Sequence, residues 1–356
     1  MTEEMIKNKC LGTLIGGAVG DAFGYPVEFV NSFQGISAKY GDNGIIEYDM
    51  SYPWLDSCFR NHKALLSDDT QMTLYTTEGI IEATKNCRPL MTTICNAYIA
   101  WYGPQMGKEI RINYDSKLAE IEELNQRRAP GNTCLTALDE IHMGQNPRNA
   151  SKGCGGIMRI APIGIYGAIN DWSLEETGRI AGEVAELTHK HPMSTIASAA
   201  QAMIIQSCIL TDESITADTF KLLVETVLNK LPNIFPCNES LLEDFIRLIN
   251  TAISFVDNSM KDWEIIENLL GGGWIAEETL AISIFSVLRH INDFKGCMIS
   301  AVNHGGDSDS TGAVAGNIIG AILGYGAIPE EFTKSLQLHD LIVEMTDKLV
   351  DCKGSY

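Results

Sequence analysis

A chain of 356 residues with 45% hydrophobic content can hold one large or two ordinary domains and bury a sizeable core. Its formal charge of −20 excludes a nucleic-acid or anionic-membrane surface, since both attract basic stripes. Ten cysteines scattered without Cys-x-x-Cys spacing point to free thiols in a reducing compartment rather than a disulfide framework.

The first residues lack the short basic region of a signal peptide, and the apolar run after them stops at Asp21, so a cytoplasmic protein is expected. Gly12, Gly16, Gly20 and Gly24 fall on one helix face, and Gly312, Gly316, Gly320 and Gly324 repeat the pattern near the end. A helical glycine costs about 1 kcal/mol relative to alanine. Two stripes of them therefore predict a pair of central crossing helices whose backbones approach closely. Both runs are shorter than the roughly 20 residues a bilayer requires, which favours a soluble core over small-xxx-small membrane packing.

Gly44-Ile45-Ile46-Glu47-Tyr48 alone reads as an extended piece, far too little for a doubly wound sheet. Helical spacing dominates elsewhere: Met72, Tyr75, Thr76, Gly79, Ile80 and Ala83 share a face, and similar faces recur near 174–188, 194–210, 240–256 and 278–290. Ser67-Asp68-Asp69-Thr70 directly precedes the first of these, where Ser and Asp serve as ordinary N-caps. Arg127 to Thr133 and Ser151 to Arg159 are Gly-rich loops leading into helices, suited to phosphate oxygens or to plain turns. His189 and His191 in Thr188-His189-Lys190-His191-Pro192 lack further zinc ligands; one can donate to a phosphate or ribose, or cap the helix that follows.

Asp307-Ser308-Asp309-Ser310-Thr311-Gly312 imitates the opening of an EF-hand, but position 12 is Ile318 rather than Glu. Capping does not explain why two clusters, Ser67-Asp68-Asp69 and Asp307-x-Asp309-Ser310, are both so dense in oxygen ligands. Together they make an all-oxygen constellation that favours Mg²⁺ or Mn²⁺ over zinc or copper. Lying near opposite ends of the chain, they must meet within one fold, so a single domain over 1–356 is expected. An anionic substrate in so acidic a chain needs local help from bound cations or from Arg127, Arg128, Lys152 and Arg159.

Gly20-Asp21-Ala22-Phe23-Gly24 with Glu28, Ser67-Asp68-Asp69-Thr70, Gly153 to Arg159, Thr188 to Pro192 and His304 to Thr311 closely resemble, in order, the motifs of the ADP-ribosylglycohydrolase family. The resemblance implies an all-α, compact orthogonal helical bundle with a binuclear Mg²⁺ or Mn²⁺ cleft, hydrolysing the bond between ADP-ribose and a protein side chain or small acceptor. Ser at 67 and 310, the Ser151 to Gly155 string and Arg128-Ala129-Pro130-Gly131 look most like the ADP-ribosylarginine hydrolase and dinitrogenase-reductase-activating glycohydrolase branch.

By position, the resemblance implies that Ser67, Asp68, Asp69, Asp307, Asp309 and Ser310 hold two metals, with Glu28 on a flap above them. It likewise implies that Gly131, Asn132 and Thr133 contact the diphosphate, that Gly153, Cys154, Gly155, Gly156 and Met158 embrace the adenosine end, and that His189, Gly305 and Gly306 flank the ribose and phosphates. Asp69 and Glu28 are the first candidates for the catalytic base. Trp274, after Gly271-Gly272-Gly273, either lines the acceptor side or packs as an ordinary core or loop aromatic. The expected partners are an ADP-ribosylated protein as substrate and ADP-ribose as product, with the enzyme a monomer. The alternatives are serine-linked, O-acyl or small-molecule ADP-ribose substrates, and a silent ADP-ribose reader.

Overall fold

The computed structural model describes residues 2–52 and 62–354. Among them the helices are α1 (Glu3–Gly24), α2 (Phe33–Tyr40), α3 (Asp68–Lys85), α4 (Leu90–Gln105), α5 (Glu122–Asn125), α6 (Asn132–His142), α7 (Ala161–Ile169), α8 (Leu174–Glu186) and α9 (Pro192–Leu210). They continue as α10 (Ala217–Ile234), α11 (Glu239–Ser254), α12 (Asp262–Ile265), α13 (Ala276–Arg289), α14 (Phe294–Val302), α15 (Ser308–Leu323), α16 (Glu330–Ser335) and α17 (His339–Val350). The fold is all-α: the described residues hold isolated bridges, Ala64 with Leu336 and Gly153 with Ile275, but no strand. The extended piece expected at Gly44 to Tyr48 pairs instead with a side chain. Asn303 Oδ1 accepts from Ile45 N at 2.8 Å, and its Nδ2 donates to Ile45 O at 2.8 Å.

The glycine stripes define the centre. A Cβ on Gly16 would lie 2.3 Å from Gly316 O, and one on Gly20 only 1.9 Å from Gly312 O. Gly12 faces Gly320 and Gly24 faces Ser308, so α1 and α15 run antiparallel with backbones in contact. The consequence is positional: the end of α1, followed by Glu28, is delivered to the start of α15, where Asp307 and Asp309 lie. Helix α9 packs against α7, α8, α13 and α15. By length and hydropathy α9 could cross a bilayer, yet 94% of its apolar window is buried inside the fold. One hydrophobic cluster extends from Cys10 on α1 to Cys352 beyond α17.

Candidate active site

Asp21, on the buried face of α1, sets the first half of the site. Its oxygens accept from Ser67 N at 3.0 and 3.1 Å and from Thr70 N at 3.1 Å, so a carboxylate holds the positive end of α3. Ser67 is the N-cap, its Oγ accepting from Asp69 N at 3.2 Å, and its hydroxyl donates across to the Asp309 carboxylate. Ser67 therefore caps α3 and tethers the second acidic cluster with the same side chain. Asp68 Oδ2 accepts from Gly131 N at 3.3 Å, while Asp69 Oδ2 is buried with no partner.

The second half is the turn into α15. Asp307 N donates to Gly272 O at 2.8 Å, and Asp307 Oδ2 accepts from the Cys154 thiol at 2.7 Å. Asp309 Oδ1 accepts from Ser310 N at 2.9 Å. Glu28 comes down from the α1 side so that it, Asp307 and Asp309 each present an oxygen within 4.8 Å of the others. All three are buried, and Glu28 Oε2 has no partner.

Such a cluster is costly as bare anions. Burial, followed by the charge of Asp309, pushes Glu28 up to about 12 and Asp21 to about 7. The same two causes hold Asp68 and Asp69, and likewise Asp307, well above the usual carboxylate range. Orphaned buried oxygens in an all-oxygen donor set fit a hard divalent cation, which would satisfy them and remove the repulsion. Glu28, Asp307 and Asp309 could hold one, with Asp68 and Asp69 beside them.

Above the carboxylates opens a cavity of about 960 Å³. Its lining includes Gly131, Asn132 and Thr133 at the start of α6, then Gly153, Cys154, Gly155, Met158 and His189, and on its acidic side Glu28, Asp68, Asp69, Asp307, Asp309 and Ser310. The structure thus brings most of the sequence-predicted residues to one place. Ser67, Gly156, Gly305 and Gly306 stand outside that lining. A Cβ on Gly156 would meet Ser194 Oγ at 2.6 Å, so this glycine serves helix packing. One on Gly305 would strike Asn31 O at 2.2 Å, and Gly306 N donates to Val30 O at 3.2 Å. Rather than facing the cavity, this turn braces the segment carrying Glu28.

The histidines divide the two roles foreseen for them. His191 caps α9, its Nδ1 accepting from Met193 N at 3.1 Å, whereas His189 lines the cavity. Of the basic residues, Arg127 reaches the lining, Lys152 pairs with Glu277, and Arg128 and Arg159 are buried. Trp274 also lines the cavity, stacked on Phe29 with ring centroids 6.0 Å apart and planes 26° from parallel. These rings are 44% and 66% exposed, unlike the buried carboxylates below. Sequence reasoning missed Phe29, whose one signal is its place beside Glu28, and gave Asp21 no role, although Asp21 stands in the Gly20 to Gly24 motif.

Among proteins of known sequence, an uncharacterized protein of Archaeoglobus fulgidus is 27% identical over 97% of both chains. The ADP-ribosyl-[dinitrogen reductase] glycohydrolase of Rhodospirillum rubrum is 24% identical over 95% of this chain and 93% of its own. Human ADP-ribosylhydrolase ARH3 is 24% identical, with the match spanning 52% of this chain and 54% of that one. A solved ADP-ribosylglycohydrolase-related protein complex shares the fold with a TM-score of 0.65 at 21% identity, over 98% of this chain and 99% of that one. The sequence profile of the ADP-ribosylglycohydrolases matches residues 2–355, and the chain belongs to that family.

Proposed function

We propose that this hydrolase removes ADP-ribose from modified arginine side chains of proteins with the help of two Mg²⁺ or Mn²⁺ ions. The observation that carries the reading is the set of buried, partly orphaned carboxylates at the floor of a cavity large enough for a nucleotide-sized ligand. Ser67, Asp68, Asp69, Asp307, Asp309 and Ser310 would hold the ions, with Glu28 close by. When bound, the ions would supply charge neutralisation toward an anionic substrate and Lewis acidity at the sugar hydroxyls.

The chain's own groups supply the rest. Gly131 to Thr133, at the positive start of α6, would receive the diphosphate. Gly153 to Gly155, with Met158, would bound the adenosine end. Asp69 and Glu28, each with an oxygen free of other partners, are the carboxylates available to take a proton from the attacking water. A guanidine is strongly basic and leaves readily once protonated, so little demand falls on a separate acid.

Support for arginine comes from the rim, where the Phe29 and Trp274 rings offer a π-face to a planar cation; the Rhodospirillum rubrum relative, an ADP-ribosyl-[dinitrogen reductase] glycohydrolase, supports a protein-linked ADP-ribose as substrate. Serine-linked ADP-ribose is the second reading, because it differs from an arginine-linked substrate only on the acceptor side of the cavity and would use the same carboxylate floor. Turnover of arginine-linked and serine-linked substrates, compared at equal concentration, decides between them; preference for serine overturns the arginine assignment. We propose further that the chain acts as a cytoplasmic, single-domain monomer, in keeping with described cysteines that are all free.

A further inference from the structure

Behind the Gly153 to Gly155 wall lies a polar chain that the proposed chemistry does not use. Arg159 is fully buried, its guanidinium 4.3 Å from the centre of the Tyr98 ring, and among the described residues it forms no ion pair. Its Nη2 donates to Thr188 Oγ1 at 2.6 Å, and its Nη1 faces Met72 Sδ at 3.3 Å and Cys134 Sγ at 3.6 Å. Thr188 Oγ1 in turn lies 2.9 Å from His189 Nδ1. The far edge of the imidazole meets the cavity wall: a Cβ on Gly155 would sit 3.2 Å from Nε2, and one on Gly153 would sit 3.4 Å from it.

The donors and acceptors along this chain favour one direction. A guanidinium donates and never accepts, so Thr188 Oγ1 accepts from Arg159. The hydroxyl has one proton of its own to give, and an imidazole nitrogen is a far better acceptor than the Cys134 sulfur. Nδ1 is then the acceptor, which in a neutral ring leaves the proton on Nε2. The groups facing the ring are Arg159 from the turn before α7 and Cys134 from α6, neither of them an anion at neutral pH. Burial, and then the Arg159 charge, hold His189 down to about 3, so the ring is neutral over the whole working range.

We propose that Arg159 and Thr188 are positioning residues that lock His189 as a neutral Nε2–H donor facing the cavity, matched to a phosphate or ribose oxygen of a bound nucleotide. The ligand class rests on the reading given under Proposed function; the tautomer does not. In the competing arrangement Nδ1–H donates to Thr188 and the hydroxyl turns to Cys134, leaving Nε2 as a bare acceptor that repels phosphate oxygens.

The test is long-range ¹H–¹⁵N correlation on the full chain labelled at histidine, with His189 assigned by its loss in His189→Gln. The expected result is an unprotonated Nδ1 and a protonated Nε2 that do not change between pH 5 and 8. A protonated Nδ1, or titration near pH 6.5, overturns the lock without recourse to a variant. Thr188→Val is expected to mix the tautomers and weaken ADP-ribose binding about 3- to 10-fold, while Thr188→Ser restores both. Equal binding by the Val and Ser variants also overturns it. Failure of the wild type to bind ADP-ribose while the tautomer stands counts against the proposed function instead.

Discussion

Both carboxylate oxygens of Asp21 on α1 accept the backbone N–H of Ser67, at 3.0 and 3.1 Å, so one buried side chain places the acidic start of α3. Asp21→Ala leaves the Ser67 and Thr70 amides without their acceptor, and a buried orphan donor costs about 1–3 kcal/mol. We expect a lower melting temperature together with weaker Mg²⁺ or Mn²⁺ binding by calorimetry. Unchanged metal affinity would show that the Ser67 to Asp69 turn is held in place by something else.

The contact of α1 with α15 makes a second prediction. A Cβ on Gly16 would lie 2.3 Å from Gly316 O and one on Gly316 would lie 2.0 Å from Gly16 O, both against backbone that cannot rotate away. Overpacking of this kind costs about 1–3 kcal/mol, occasionally more. Chemical denaturation of Gly16→Ala and Gly316→Ala should show that loss. Gly326→Ala, where a Cβ has nothing within 4 Å, should stay within about 0.5 kcal/mol of wild type.

Metal dependence should vary with pH in a defined direction. Glu28, Asp68, Asp69, Asp307 and Asp309 have folded-state values raised above their unfolded ones, chiefly by burial. In metal-free protein their contribution is fully present below the unfolded values, near 4, and is lost as pH rises and the folded cluster ionises. Cations bind the ionised form, so their stabilising effect grows over the same range. The rise in melting temperature on adding Mn²⁺ should therefore be larger at pH 8 than at pH 5.5; equal rises would argue that the cation binds elsewhere.

Phe29→Ala and Trp274→Ala remove one ring each from the rim stack. A cation–π contact at an exposed site is worth about 0.5–1 kcal/mol. Each substitution should raise KM for an arginine-linked substrate about 2- to 5-fold while leaving the affinity for ADP-ribose itself unchanged. Loss of ADP-ribose affinity instead would place the rings on the nucleotide side.

The central features were legible because they rest on spacing that survives without a structure. Glycine at every fourth position from Gly12 to Gly24 and from Gly312 to Gly324 calls for close backbone approach, and two acidic clusters dense in oxygen donors call for a common place in the fold. What was not legible depends on which elements cross. Asp21 acquires its role only because α1 passes beneath the start of α3. Gly305 and Gly306 carry the same letter whether a ligand or a backbone approaches them, and only their surroundings separate the cases: a Cβ would lie 2.2 Å from Asn31 O at Gly305 and 2.0 Å from Gly272 O at Gly306. Phe29 and Trp274 become a pair only once α1 and α15 bring the Glu28 segment beside the Gly271 to Gly273 loop.

The most direct test of the account is release of ADP-ribose from an arginine-ADP-ribosylated protein, measured with Mg²⁺, with EDTA, and with the Asp68→Asn, Asp69→Asn double variant. Release by the wild type with Mg²⁺ is expected, with its loss in EDTA, recovery on adding metal back, and a fall of at least about 100-fold in the folded double variant. Undiminished release in EDTA or by that variant, or no release by a folded, metal-loaded wild type, would contradict it.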